Sequence, residues 1–416
     1  MTAVSGAASH TADSTVGDEV PYLDIASPSF AMSSEAVRDA RERHWYAGTN
    51  YGVAVLRYRE VTELLKHPSL NQGSAKWPDH HGVHGGLFYD WWVKNLLVLE
   101  GEEHHRIRRL LNPAFSPRVA QSLKPEFEEI AAELIKNMKA KQSRGEQVEY
   151  VADFSEPFAT RALCAMMGLS HEHWPFIADR ANTVGYALSI TIKEDIERID
   201  RAVHELYDFV DDLIEERKAN PGEDVVSRLV GFTAHGDKLS DEELRNALVL
   251  MLFGGMDTTR NQLGLLLQTY IRHPEQWELL AQNPEELTRP ALEEGLRVNP
   301  TTRWVTREAN EDFEYQGLRI AKGTTVHLFT MSSGTDPEAY PDPEIDILAK
   351  DRKPHHTFGG GVHHCLGHYI ARADMSVALP MLAQAFTGLS CPGGDEWLPD
   401  SGNHGPVRLP LDFTVR

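Results

Sequence analysis

The stretch from Ser240 to Arg272 limits most severely what this chain can fold into. Ser240 followed three residues later by Glu243 is a capping box, which marks a helix start. Leu-rich sequence without proline then runs to Arg272, just before His273-Pro274. A helix of that length spans about 50 Å, the width of a sizeable domain. Any fold has to be built around it from elements long enough to cover it. Its middle reads Phe253-Gly-Gly-Met-Asp-Thr-Thr259. Two adjacent glycines cost roughly 1 kcal/mol each relative to alanine, and Asp and Thr are weak helix formers. The sequence therefore predicts a local distortion there, of the kind that accompanies functional sites. Close packing of a second helix is the other account of the glycines.

The rest of the chain supplies mostly helix. Segments 35–43, 59–66, 97–111, 117–143, 157–168, 171–181, 193–219, 223–230, 284–298 and 369–385 carry helical patterns. Residues 46–58 alternate as a hairpin would, 302–326 read as short strands with a turn at Gln316-Gly317, and 395–405 as a polar hairpin. Between 70 and 95 the pattern dissolves into Gly, His and aromatics, read here as an irregular pocket wall or an ordinary packed loop. Its His80-His81-x-x-His84 spacing lacks nearby cysteine or carboxylate ligands for a metal. Residues 182–191 read as a loop. The fold class is mainly α with a small β-rich portion. Residues 1–20 form a polar lead-in expected to be disordered, and 21–416 a single unit.

Charge and cysteine usage exclude several functions. The net charge of −21 argues against nucleic acid as a partner, because such binding relies on Lys and Arg neutralising phosphates. No apolar run approaches membrane-spanning length. Three widely separated cysteines, Cys164, Cys365 and Cys391, do not make a disulfide framework, so a reducing, cytoplasmic setting is expected.

Cys365 stands apart from the other two. It lies in Phe358-Gly-Gly-Gly-Val-His-His-Cys-Leu-Gly367, behind glycines that permit close backbone approach and ahead of a helix. A thiolate aimed at a metal needs such surroundings, since helix-start amides stabilise charge on sulfur. A buried structural cysteine beside a tight turn fits equally well from these residues alone. Likewise His104 and Arg108, four apart on one helical face, suit an anionic group or a solvated basic face. Glu294 and Arg297, three apart, suit a surface pair.

Taken together, these motifs resemble the cytochrome P-450 family of haem-thiolate monooxygenases, from about Pro21 to the C-terminus. The family's Phe-x-x-Gly-x-x-x-Cys-x-Gly appears as Phe358, Gly361, Cys365 and Gly367. Glu294-x-x-Arg297 and Gly254-Gly255-x-Asp257-Thr258-Thr259 precede it in family order. The resemblance implies that Cys365 is the axial ligand of haem b iron, a thiolate that favours O–O cleavage. It implies that His104, Arg108, Arg307 and His363 hold the propionates, with Phe358 and Gly367 beside the cofactor. Thr258 and Asp257 become the alcohol and acid of proton delivery to dioxygen, and Glu294 and Arg297 structural supports of the Cys365 loop. Electrons from NAD(P)H are expected through a separate ferredoxin or flavodoxin and its reductase, since 51 residues after Cys365 leave no room for a fused one.

Two departures from the family pattern bear on the site. No Arg follows Pro341-Asp-Pro343 to complete the Glu294–Arg297 network, leaving Lys350, Arg352 or His355 as replacements. Gly334-Thr335 stands where Asn-Arg is usual. By the same comparison Trp92, Gly255, Thr302, Arg303, Trp304 and Asn403 face a small-molecule substrate. Arg303 and a polar tip at 400–403 point to a metabolite with an aromatic or apolar body and a polar end, oxidised by hydroxylation, epoxidation or dealkylation. The rival readings are another oxidation at the same haem (coupling, nitration, peroxide-driven), a non-catalytic haem or ligand-binding protein, and a cysteine hydrolase.

Overall fold

The computed structural model describes residues 20–188, 192–233, 236–400 and 402–416. The lead-in up to residue 19, the end of the 182–191 loop and Ser401 of the hairpin tip lie outside them. The helix Asp241–Arg272 crosses the molecule, capped by Ser240 and Glu243 in the reciprocal arrangement read from the sequence. It is buried on nearly every side, as a helix lacking a polar face must be. The largest apolar cluster packs around it.

Helices Glu156–Met167, Trp174–Gly185 and Ile192–Ala219 cover the central helix, together with Pro284–Val298 and His368–Ala385, and Pro117–Ser143 packs outside them on His368–Ala385 and Glu156–Met167. Where helices approach closest, glycine makes the room. A Cβ on Gly295 would sit 2.3 Å from Leu266 Cδ2, and one on Gly264 2.3 Å from Pro406 Cγ. At the Gly254-Gly255 pair only Gly255 meets a neighbouring helix, its would-be Cβ lying 3.2 Å from Leu163 Cδ1. The predicted distortion at that pair is absent: the helix runs through it without a break. Burial on both flanks supplies the stability that the glycines forgo.

The β portion is a six-stranded mixed sheet in the order Tyr22–Leu23, Tyr46–Thr49, Gly52–Val55, Thr325–Phe329, Trp304–Ala309, Leu70–Gln72. Its last pairing sets Gln72 opposite Arg307. The hairpin Phe313–Tyr315/Leu318–Ile320 turns at Gln316 and Gly317, both with positive φ, as a two-residue turn requires. A further three-stranded sheet joins Phe386–Ser390, Pro410–Val415 and Val148–Glu149.

Three regions differ from the sequence reading. The 70–95 stretch contains a short strand and two short helices, Trp77–His80 and Leu87–Trp92, because its aromatic residues pack inward instead of lining a loop. Residues 182–185 continue the preceding helix. An additional helix, Pro274–Gln282, fills the interval before Pro284. No helix of the described residues is long and apolar enough to cross a membrane.

Candidate active site

Cys365 is positioned by its own loop and by the helix behind it. Its amide donates to Phe358 O at 2.9 Å, closing the Gly-rich turn. Gly361 sits at φ +70°, and a Cβ there would meet Leu65 O at 2.7 Å, so this position admits only glycine. Cys365 keeps an accessible surface although many protein atoms surround it. Burial pushes the thiol up from its ordinary value. The Gly367 amide, the Arg108 and Arg372 guanidiniums and the His368 amide pull the other way by stabilising negative charge on sulfur.

The loop hangs on the helix Pro284–Val298. Thr357 Oγ1 donates to Leu296 O at 2.7 Å, and Arg372 and His355 both reach Glu293, at 2.6 and 2.9 Å. One turn away, Arg297 forms a bidentate pair with Glu294, both contacts at 2.7 Å, and donates to the carbonyls of Gly334, Pro343 and Glu344. The gap left by the missing arginine is filled by Arg352, whose Nη2 lies 3.3 Å from Glu294 Oε2. His355 is taken by Glu293 instead. The pair is buried and structural, not a surface pair.

At the far side of the loop the four basic groups gather. His104 and His363 stack with ring centroids 4.2 Å apart. Both His104 ring nitrogens are buried without a hydrogen-bond partner among the described residues. Burial, then His363 and Arg108, hold that ring down to about 4, so it is neutral at pH 7. Arg307 is 2% exposed, and its guanidinium meets only the carbonyls of Thr306 and Gly360. Burial brings it down to about 10, opposed by the charge of Glu100. Arg108 donates to His364 O, and His363 Nε2 lies 3.2 Å from Glu100 Oε1. A buried cation with no carboxylate partner and an imidazole with two free nitrogens are a poor arrangement for an isolated chain. They fit the two carboxylates of a haem whose iron Cys365 would hold.

On the central helix, Gly254 and Gly255 are the exposed residues in an otherwise covered stretch from 244 to 271. A Cβ on Gly254 would meet no atom within 4 Å, whereas one on Gly255 would touch Leu163 Cδ1 at 3.2 Å. Thr258, one turn on, donates its hydroxyl to Gly254 O at 3.0 Å. Asp257 is buried and turned into a polar cluster, accepting from Arg260 at 3.2 Å and from Asn261 at 3.3 Å. Arg260 in turn reaches Glu156 and Asn182.

The residues assigned to substrate divide. Gly255 is exposed on the central helix. Trp92 is not: it is fully buried in the core with its indole N–H on Ser74 O. Arg303 is 4% exposed and forms an ion pair with Asp400 at 2.6 Å, while Asp400 also accepts from Met32 N. Its charge therefore tethers the C-terminal hairpin and is not offered to a ligand. Thr302 and Asn403 bridge to each other, and Trp304 stacks on Phe329 under the N-terminal segment. Among the described residues no cluster of His, Cys, Asp or Glu is arranged to hold a metal, the 80–84 histidines included.

Residues 43–415 match the family Cytochrome P-450. Luteothin monooxygenase of Streptomyces thioluteus is 33% identical over 398 residues, covering 95% of this chain and 96% of that protein. Mycinamicin IV hydroxylase/epoxidase of Micromonospora griseorubida is 34% identical over 377 residues, 86% and 88% of the two chains. Among solved structures, the LnmA hydroxylase from the leinamycin pathway of Streptomyces atroolivaceus superposes with a TM-score of 0.79 at 27% identity, covering 94% of this chain and all of that one. The chain belongs to the cytochrome P-450 family. It is a haem-thiolate monooxygenase, using O2 and electrons supplied by redox partner proteins.

Proposed function

We propose that the protein binds haem b and inserts oxygen into a small, largely apolar secondary metabolite, by hydroxylation or epoxidation, with electrons from a ferredoxin or flavodoxin system fed by NAD(P)H. The observation that carries this reading is the uncovered Gly254-Gly255 patch beside Thr258, in a helix that is otherwise closed to ligands. When bound, haem supplies the iron at which O2 is activated. Cys365 would be its ligand, and His104, Arg108 and Arg307 would receive its carboxylates. The Thr258 hydroxyl, which donates to Gly254 O, would be the proton donor at the open patch, and Asp257, now paired with Arg260 and Asn261, would be the carboxyl group that resupplies it.

The apolar character comes from Leu163 and Met251 near the glycine patch. The pairing of Arg303 with Asp400 removes the reason to expect a charged substrate end. Two spectra test the proposal. The reduced, CO-bound protein shows the Soret band typical of thiolate-ligated haem, and apolar metabolites from a panel shift the ferric Soret band by displacing water. A reduced CO complex without that band overturns the haem-thiolate assignment. Shifts given only by charged ligands overturn the apolar substrate class.

A further inference from the structure

Glu100 stands at the start of the helix Gly101–Leu111, at the N-cap position, yet its side chain makes no capping bond. It reaches sideways instead. Oε1 accepts from the amide of Gln72, the residue paired across the sheet with Arg307, and lies 3.2 Å from His363 Nε2 on the Cys365 loop. One carboxylate thereby joins the three segments that carry Arg307, His104 with Arg108, and His363. Its charge is felt at Arg307 and at His104. Burial would raise Glu100, but the bonds from His363 and Gln72 hold it below the usual carboxylate range, so it is ionised at neutral pH.

The count of basic groups then changes. His363 is paired with Glu100, whereas Arg108 and Arg307 meet only backbone carbonyls and His104 no partner among the described residues, so His363 alone of the four already has a carboxylate. The three remaining groups, His104, Arg108 and Arg307, are then left for the two carboxylates of haem. Resting on the haem reading above, we propose that Glu100 is a positioning residue of the cofactor's carboxylate edge. It is the partner of His363 in place of a propionate, and its fixed negative charge lowers the reduction potential of the iron. A negative charge close by favours the more positive, oxidised metal, and a site this enclosed screens it less than water would.

The test is spectroelectrochemical titration of the haem-loaded protein at pH 8, where an ordinary histidine is uncharged. Glu100→Gln keeps the shape and the acceptor for the Gln72 amide while removing the charge. Its midpoint potential shifts upward, whereas Glu100→Asp stays near the parent value. Glu103→Gln, an exposed carboxylate on the same helix, also leaves the potential unchanged. An unshifted Glu100→Gln protein overturns the proposal, as does an equal shift in Glu103→Gln, which would mark a general surface-charge effect. If Glu100→Gln does not retain haem, the Glu100→Asn and Glu100→Asp pair repeats the comparison at constant length. The CO-bound spectrum of the parent separates the two levels: loss of the thiolate band there sinks the haem reading, while an intact band with no shift in Glu100→Gln sinks this one alone.

Discussion

The Cys365 loop and the Gly254–Thr258 patch, assigned to one reaction in the proposed function, are built on opposite plans. The loop is held by directed bonds: Thr357 on Leu296 O, Arg372 and His355 on Glu293, and Arg297 with Arg352 on Glu294. The patch is defined by what its surroundings leave uncovered, on a helix whose position is set by apolar packing elsewhere along its length. A metal ligand has to stay fixed against the pull of its own charge, whereas the face that admits oxygen and substrate has to remain open. Rigidity and space therefore come from different chemistry in different places.

Cys365→Ser strikes the fixed side hardest. Product formation falls below detection and the CO-bound Soret band moves away from the thiolate position, checked by turnover assay and spectrum. Arg297→Ala comes next. It strands the buried Glu294 carboxylate, lowers stability by about 3–5 kcal/mol, and reduces haem content, read by denaturant titration and haem assay. Arg352→Ala, at the more exposed end of the same network, costs about 1 kcal/mol. Equal losses from the two would show that the network has no buried centre.

Thr258→Ala belongs to the open side. Stability changes by less than about 1 kcal/mol, while product per electron falls and peroxide release rises, by about tenfold or more if the hydroxyl delivers the proton. Unchanged coupling would remove the threonine from proton delivery. The pH response of the fixed side is smaller. Glu293 is half-buried, which opposes ionisation, but bonds from His355 and Arg372 hold its carboxyl down to about 2. A folded value below the unfolded one adds stability above about pH 4.5, and that increment is lost as pH falls toward 2. Glu293→Gln flattens this acid limb by about 1–3 kcal/mol in pH-dependent denaturation. Gly254→Ala is the mildest change: the fold gains up to about 1 kcal/mol of helix propensity, while Gly264→Ala, meeting Pro406, loses several times that.

Local signals were the legible part of this molecule. The capping box at Ser240, the turn at Gln316-Gly317 and the run around Cys365 are each decided within a few residues, and the structure keeps all three. Contacts between distant segments were not legible. Nothing near Pro343 announces that Arg352 will reach back to Glu294, and the sheet joining Val148–Glu149 to Pro410–Val415 has no local signature. Trp92 and Arg303 look like ligand contacts by type and position, yet the first is taken by the core and the second by Asp400. At the Gly254-Gly255 pair the expected bend is absent. The importance of the pair is the surface it leaves bare, not a bend in the helix.

Arg307 carries a consequence for the life of the protein in a cell. A cation held in the interior with no carboxylate bonded to it among the described residues carries a cost that a dianionic cofactor offsets on binding. Mass action then couples folding to supply: each tenfold rise in free haem above its dissociation constant adds about 1.4 kcal/mol to the folded state. The abundance of intact chain is thereby tied to cofactor availability, so that scarcity of haem lowers the amount of protein as well as its activity.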